Sequence, residues 1–415
     1  MKRILISWIL LLSMTVGLVG CGANSSLSAT TPTETDPRQE DSLNLLSAMI
    51  RQSVDAKAVD QPFTDSMANF SVDLLRHCYS QGNNVVLSPY SLYLILSMTA
   101  NGARGETLIQ MESLLGQEIQ QLNPYGLYLQ NTAGEELVSA NSLWFHESLS
   151  IQESFLQDLK NYYSAQVYTT TFDDSTLEAM NDWVRRQTDD RISEALDRMS
   201  PNAMLYLLNA LTFDGSWETV YTTYDITDQV FYGSVGETTV EMMTSTESIY
   251  LDDGQATGFL KEYEGGQYAF LAMLPKEGLT LEDYLSDMTG ERLLQTIESG
   301  RSTTVVATMP KLHLETTVNA ENVLRSMGMV DAFSMAADLS GMNGMQDLYI
   351  SRILHKTYLQ VDEAGTQAGA LTVEEIVTKG VAINQEYVFL NRPYIMGIYD
   401  KMNHCFLFLG AIENP

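Results

Sequence analysis

Cysteine is scarce in this chain, with 3 residues in 415. Cys78 and Cys405 each lie in an apolar or helical context without a second cysteine nearby, so the sequence does not indicate a disulfide framework. Each follows a histidine, which would suit a catalytic pair. Because sequential neighbours on a helix or strand point apart, we interpret both instead as buried free thiols.

Basic residues are also few, 23 against 53 acidic residues, which gives a formal net charge of -30. This balance opposes binding to nucleic acid or to an anionic membrane surface, and it favours solubility. Neither lysine nor arginine occurs from Gly105 to Leu159.

Common catalytic motifs are missing. The sequence contains no Gly-x-Ser-x-Gly, Walker, Gly-x-Gly-x-x-Gly, His-Glu-x-x-His or Cys-x-x-Cys pattern, and its 5 histidines are scattered singly. We therefore predict that the chain is not an enzyme and has no catalytic residues, no cofactor and no metal site. A hydrolase assembled from residues distant in sequence is the alternative.

The N-terminus resembles a targeting segment. Lys2 and Arg3 precede an apolar stretch, and Leu18-Val19-Gly20-Cys21 is typical of a bacterial lipobox. We predict a signal peptide over residues 1–20 and lipid attachment at Cys21, which would hold the protein on the cell surface, facing outside. An ordinary secretory signal and a short membrane helix are the alternatives; the apolar run is at the short limit for spanning.

Residues 21–41 are predicted to be an acylated cysteine followed by a disordered tether, because Ser, Thr, Pro and acidic residues dominate them. Twenty flexible residues span roughly 25 Å. The remaining residues, 42–415, show no second change of composition, and 45% of the chain is hydrophobic, so one large domain is expected there.

Periodicity predicts several elements. Met67, Phe70, Leu74 and Cys78 recur at helical spacing, and the apolar positions from Thr176 to Leu196 predict one long helix. Residues 353–363 read as a strand, in which alternation places His355 on the more apolar face.

Small residues dominate the segment from Val361 to Thr372. A strand that slides between two packed strands needs side chains that enter without a clash or an unpaired charge. Alternation sends Thr366, Ala368, Ala370 and Thr372 to one face, and all four are small. A flexible Ala/Gly loop is the simpler alternative.

This segment resembles the hinge of the serpins. Glu363, Gly365, Thr366, Ala368 and Ala370 match the family pattern Glu-x-Gly-Thr/Ser-x-Ala-x-Ala. At least six motifs follow family order between Ser66 and Pro415, including Asn-Ala-Leu-Thr-Phe-Asp-Gly-Ser-Trp at 209–217. The resemblance implies an α+β serpin fold, with about eight or nine helices around three β-sheets and an exposed reactive loop at about residues 364–385.

The resemblance also implies a function. Serpins are irreversible suicide-substrate inhibitors, in which the cleaved loop inserts into the central sheet and traps the acyl-enzyme. Family spacing from Glu363 places the attacked bond at Lys379-Gly380, and lysine suits a trypsin-like serine protease. Lys379 is the only basic residue between Lys356 and Arg392; an ordinary solvated lysine is the alternative.

Two further groups of residues match family motifs. Those expected to control the opening of the sheet are Ser88, Ser91, Asn209 and His355. Those expected where the loop enters the sheet are Trp217, Lys311 and Glu363, the last two as a salt bridge. For Ser88 and His355, ordinary hydrogen-bonded core polarity is the alternative.

Two departures from the family pattern bear on function. Glu374 has the parity of the inserting face, where a carboxylate would cost free energy. The region that is basic in heparin-activated serpins has no cation here, so activation by a polyanion is not expected. We expect a monomer; the alternative function is a non-inhibitory serpin-fold binding protein that is only cleaved as a substrate.

Overall fold

The computed structural model describes residues 44–200, 202–366 and 385–415. These contain ten α-helices and a short 3-10 helix, 331–333. The α-helices are α1 Gln61–Cys78, α2 Pro89–Ala100, α3 Gly105–Leu115, α4 Ile119–Thr132, α5 Glu153–Tyr162, α6 Asp174–Gln187, α7 Leu281–Asp287, α8 Gly290–Glu298, α9 Ala320–Ser326 and α10 Ser340–Asn343.

The same residues form sixteen strands in two sheets. The strands are β1 Val85–Leu87, β2 Leu137–His146, β3 Gln166–Thr170, β4 Leu205–Phe213, β5 Gly215–Ser216, β6 Ile226–Gly233, β7 Gly236–Asp252, β8 Ala256–Glu262, β9 Tyr268–Pro275, β10 Arg301–Pro310, β11 Leu312–Asn319, β12 Arg352–Val361, β13 Gly365–Thr366, β14 Gln385–Phe389, β15 Tyr394–Asp400 and β16 Cys405–Ile412. Helices and mixed sheets together confirm the α+β class.

The seven-stranded sheet has the order β3-β2-β4-β12-β13-β5, with β11 paired to the outer side of β12. The nine-stranded sheet has the order β1-β16-β15-β9-β8-β7-β10-β14, with β6 paired to β7. Three separate sheets were expected. Two form because β7 is 17 residues long and pairs with β6 near its start and with β8 at its end, which joins two groups of strands.

The sequence predicts where the core of the seven-stranded sheet lies. In β12, Ile353, His355, Thr357, Leu359 and Val361 are all buried, as the alternation predicted. The opposite face packs against α6, where Trp183 and Val184 contact a cluster that includes residues of β4. One face of the sheet therefore belongs to the main core and the other is covered by a helix.

The helix predicted from Thr176 to Leu196 is shorter than expected, because α6 ends at Gln187. Asp189 and Asp190 have φ values of 53° and 60°, a left-handed conformation that aspartate tolerates better than most residues. The hydroxyl of Thr188 also accepts a hydrogen bond from the N–H of Ile192 at 3.2 Å. Ile192 and Leu196 continue the apolar spacing beyond Gln187, because both still pack in the same buried cluster as the apolar side chains of α6.

Helix α2 begins as its sequence predicts. Ser88 is its N-cap, accepting a hydrogen bond from the N–H of Ser91, and Pro89 occupies the first turn. Every residue of α2 is buried, so this helix forms the centre of the core.

Both described cysteines are free thiols. Cys405 is buried and Cys78 is partly buried, and burial raises the pKa of Cys78 to about 12. Such thiols are not reactive at neutral pH. Among the helices of residues 44–366 and 385–415, none is both long and apolar enough to cross a bilayer.

Candidate functional site

The seven-stranded sheet has an opening between β4 and β12. The two strands run parallel and pair over three positions only, Arg352 to Leu354 with Tyr206 to Leu208. Beyond this point, β12 has no described pairing with β4, although it pairs with β11 along its other edge. The facing edges of β4 and β12 therefore leave room for another strand.

We call the end of the opening beside the β4–β12 pairs the near end and the other the far end. The far end is occupied by β13, which contains Gly365 and Thr366 of the hinge. Thr366 pairs with Val361 of β12, while Gly365 and Thr366 pair with Ser216 and Gly215 of β5. Both contacts are antiparallel. The first two hinge residues thus already lie as a strand between the two sides.

Gly365 and Thr366 fit this position for different physical reasons. A Cβ atom at Gly365 would lie 2.1 Å from the carbonyl oxygen of Gly215, so only glycine allows the backbones to approach this closely. The side chain of Thr366 is fully buried, and its hydroxyl lies 2.5 Å from the Tyr263 hydroxyl. A larger or charged side chain would lack both space and partners.

The backbone of residues 362–364 is held by the segment that follows β5. The indole N–H of Trp217 donates to the carbonyl of Asp362 at 2.9 Å, and its backbone N–H donates to that of Ala364 at 3.0 Å. The N–H of Tyr221 donates to the carbonyl of Glu363 at 2.9 Å. Three hydrogen bonds therefore fix three consecutive carbonyls.

The ion pair expected between Lys311 and Glu363 is present, with Nζ and Oε2 2.9 Å apart. Lys311 also lies 3.4 Å from Glu241. The backbone N–H of Glu363 itself, followed by the Lys311 ammonium, holds the pKa of the Glu363 carboxyl below its ordinary value. Because the Glu363 side chain is 46% exposed, the pair contributes little stability and mainly orients the strand end.

The near end of the opening carries neutral hydrogen bonds. Nε2 of His355 accepts from the backbone N–H of Ser88 at 3.2 Å. The hydroxyl of Thr357 donates to the carbonyl of Val86 at 2.5 Å. These bonds tie the buried face of β12 to β1 and to the start of α2.

Burial lowers the pKa of His355 to about 4. The imidazole is 3% exposed, and its Nε2 needs a free lone pair to accept the Ser88 hydrogen bond. His355 is therefore neutral at pH 7.

Asn209 does not contact His355. Its side-chain N–H donates instead to Asn141 of β2 at 2.7 Å. Its place is still relevant, because it follows the Leu208–Leu354 pair at the point where β4 and β12 part. Ser91 donates its backbone N–H to Ser88, while its hydroxyl has no hydrogen-bond partner among the described residues. The structure thus brings Ser88, Ser91 and His355 together and places Asn209 across the opening.

Sequence reasoning missed the aromatic and charged residues behind the hinge. Tyr263 stacks on Trp217 with ring centroids 4.5 Å apart, and Lys261 lies over the rings of Trp217 and Tyr221. Tyrosines are common in this chain, and no motif marked these. Lys261 did carry a signal, as a lysine that follows the apolar pair Phe259 and Leu260 in a strand.

Several predicted site residues lie outside the described residues and stay predictions. They are Cys21, Ala368, Ala370, Thr372, Lys379 and Gly380.

Comparison with known proteins shows which family this chain belongs to. Residues 65–415 match the family model described as serpin, serine protease inhibitor. The chain belongs to the serpin family. The fold expected from the hinge resemblance is thereby confirmed.

Similar proteins align with most of the length of this serpin. It is 30% identical to intracellular coagulation inhibitor 2 of Tachypleus tridentatus, over 83% of this chain and 89% of that protein. It is 28% identical to alpha-1-antiproteinase of Bos taurus, over 84% of this chain and 87% of that protein. The crystal structure of tengpin, a thermophilic serpin, in its native state is 36% identical and superposes with a TM-score of 0.86, covering 90% and 99% of the two chains. The latent state of tengpin gives 0.76.

Family membership corrects the prediction that the chain is simply not an enzyme. The matched family is one of serine protease inhibitors, so its members are described by the enzymes that they inhibit and not only by a lack of catalysis. Within the described residues, no three His, Cys, Asp or Glu side chains are grouped so that they could hold a metal ion.

His355 generates a testable pH dependence. An unfolded histidine titrates near 6.5, whereas the folded pKa is about 4, so the unfolded chain binds the proton first as the pH falls. The stabilisation is present above pH 6.5 and should be lost between pH 6.5 and 4, amounting to about 3 kcal/mol in the free energy of unfolding. Urea titrations at several pH values measure it.

The matched variant is His355→Gln, whose amide oxygen lies about as far from the backbone as Nε2, so it can accept the Ser88 hydrogen bond but does not titrate. It should be less stable at neutral pH, and the two stability curves should converge towards pH 4. Parallel curves would show that His355 is not the titrating group.

Proposed function

We propose that this serpin is an irreversible suicide-substrate inhibitor of trypsin-like serine proteases. The main support is the opening between β4 and β12, with Gly365 and Thr366 already paired at one end of it. A strand that continues from Thr366 would complete the sheet. The higher TM-score with native-state tengpin than with latent tengpin supports the view that the two sheets have the native arrangement here.

The register of β13 supports insertion of the small residues. Thr366 pairs with Val361 and Gly215, so each step forward along the loop is one step back along β12 and β4. The inserting side chains would then meet these pairs: Ala368 between Leu359 and Phe213, Ala370 between Thr357 and Leu211, and Thr372 between His355 and Asn209.

This register explains why the small residues Ala368 and Ala370 and the polar residue Thr372 occupy their positions. The four partners of Ala368 and Ala370 are buried, so these positions require small residues. Thr372 carries a hydroxyl that can hydrogen-bond to His355 and Asn209, the polar residues of β12 and β4 that this register places on either side of it. The hinge and the opening thus have matched chemistry.

The energy is sufficient by order of magnitude. About ten new ladder hydrogen bonds at about 1 kcal/mol each give roughly 10 kcal/mol. Thirteen residues from Thr366 to Lys379 extend over roughly 43 Å as a strand. A protease bound at Lys379 would be carried that far, and catalytic geometry tolerates little displacement.

The chemistry at the loop follows from the protease. Its serine oxygen attacks the carbonyl carbon of Lys379, the Lys379-Gly380 bond breaks, and the amine of Gly380 leaves with a proton. The ester that remains links Lys379 to the protease until water hydrolyses it. Insertion before that hydrolysis would trap the complex. The lysine side chain would occupy a specificity pocket that ends in a carboxylate.

Glu374 favours a second candidate, a serpin that is cleaved without inhibiting. In the same register, Glu374 would lie between the buried Ile353 and Leu207, where β12 and β4 already pair. A carboxylate there would oppose the last steps of insertion. Six residues, 367–372, can enter before the first existing β4–β12 pair, Leu208–Leu354, is reached. We therefore propose inhibition as the function and cleavage without inhibition as the second candidate.

Lys379 tests the bait position. Lys379→Ala should reduce the rate of trypsin inhibition by at least about a hundredfold, because the specificity pocket loses its cation partner. Lys276→Ala, which removes a half-exposed lysine elsewhere, should leave the rate unchanged. Mass spectrometry should find a released fragment that begins at Gly380; another first residue would place the bait bond elsewhere.

Thr366 tests insertion. Thr366→Arg puts a cation where the side chain is fully buried, so insertion should fall behind hydrolysis and the variant should be cleaved as a substrate. Thr366→Val, similar in shape and uncharged, should still form a complex that survives boiling in SDS. Equal complex formation by both variants would contradict insertion and favour a rigid-loop inhibitor.

We also propose that Cys21 carries a lipid that holds the protein on the outer face of a bacterial membrane. Cys21→Ala should abolish labelling with a radioactive fatty acid and move the protein from the detergent phase to the aqueous phase. Labelling that persists in the variant would exclude this site.

A further inference from the structure

A buried lysine lies directly behind the residues that hold the hinge. Lys261 of β8 is 1% exposed. Its ammonium lies 3.0 Å from the carboxylate of Glu247 and 3.0 Å from the carbonyl oxygen of Thr219. A cation in this position is unusual, because lysine is almost never fully buried unless it is paired.

Two aromatic rings complete the surroundings of the Lys261 ammonium. It lies 4.5 Å from the centre of the Tyr221 ring and 5.2 Å from that of Trp217, both within the range of cation–π attraction. All three contacts on the segment, Trp217, Thr219 and Tyr221, are therefore made by one ammonium group. A single ammonium group thus contacts three of the five residues from 217 to 221.

The same segment provides the hydrogen bonds that hold the hinge. Trp217 and Tyr221 donate to the carbonyls of residues 362–364, directly before β13. Trp217 also stacks on Tyr263, whose hydroxyl contacts Thr366. The position of Lys261 therefore bears on the hinge through two separate chains of contacts.

Glu247 is fixed as well. Its carboxylate accepts a hydrogen bond from the hydroxyl of Ser245 at 2.5 Å, and that hydroxyl lies 3.2 Å from the Tyr221 hydroxyl. Lys261, Glu247, Ser245 and Tyr221 thus form a closed ring of contacts between β7, β8 and the segment that holds the hinge. Lys261 contacts the Tyr221 ring directly, and Glu247 is linked to the Tyr221 hydroxyl through Ser245.

Stability alone does not account for this pair. Burial lowers the pKa of Lys261, with Glu247 opposing the change, so the charged form is costly to bury. Apolar residues of similar volume are often as stable as a buried ion pair, or more stable. What apolar residues could not supply is the directed contact with the Thr219 carbonyl and the two rings.

We propose that Lys261 and Glu247 are positioning residues for the hinge, which hold residues 217–221 in the conformation that keeps Gly365 and Thr366 between β12 and β5. The pair then determines how often insertion wins over hydrolysis of the acyl-enzyme. This second step rests on the proposed inhibitory function. The first step concerns the intact protein alone.

The test of positioning uses hydrogen exchange in the uncleaved protein. In Lys261→Met, the amide protons of Trp217 and Tyr221 should exchange about tenfold faster, as expected if one hydrogen bond of ordinary strength is lost. The apolar pair Lys261→Met with Glu247→Leu should regain wild-type melting temperature but keep the faster exchange. Lys276→Met, at an exposed lysine, should change neither.

The second measurement is the number of inhibitor molecules consumed per trypsin molecule trapped. Both Lys261 variants should raise this ratio several-fold while loop cleavage proceeds at the wild-type rate. Unchanged exchange, or exchange that recovers together with stability in the double variant, would overturn the positioning role. If wild type traps no trypsin, the proposed function fails, and the exchange experiment still decides the role of Lys261. If exchange rises but the ratio does not, the pair positions the hinge without affecting the outcome, which overturns the inference about partitioning.

Discussion

The structure depends on one constraint: backbone hydrogen-bonding groups along a buried strand edge must find partners. Between Leu354 and Val361, β12 pairs with β11 along one edge only, while β4 ends its pairing with β12 at Leu208. A sheet that can gain a strand stores free energy in the bonds it has not yet made. In the proposed mechanism, the residues at the two ends of the opening determine when those bonds form.

The two ends use different interactions. At the near end, a neutral hydrogen bond joins His355 to Ser88, in a site so buried that the protonated imidazole is disfavoured. At the far end there are two ion pairs, the partly exposed Lys311–Glu363 pair and the buried Lys261–Glu247 pair. Neutral contacts can be exchanged for similar ones when a strand arrives, whereas charged contacts fix a starting geometry. This difference fits a sheet that opens from the hinge side.

The sequence predicted the parts of the site that depend on local pattern. Alternation gave the buried face of β12, and the hinge motif gave Gly365, Thr366 and the partner of Glu363. It could not predict that Asn209 bonds to Asn141, because the two residues become neighbours only through the register of β2 with β4. The end of α6 at Gln187 was missed because two aspartates took left-handed conformations inside a continuing apolar period. Lys261 was missed because no motif indicates a charge that is paired across strands.

The pairing of β13 has a kinetic consequence. Forming a strand from a free loop requires a nucleus, whose cost is mainly the entropy of bringing distant backbone segments together. Here Thr366 is already paired on both sides, so the nucleus exists before any bond is cut, and later pairs add as in a zipper. Hairpins form in about 1–10 μs, whereas a typical enzyme turns over about ten times per second. In the proposed mechanism, a nucleus that is already paired shortens the time that insertion needs relative to hydrolysis of the acyl-enzyme.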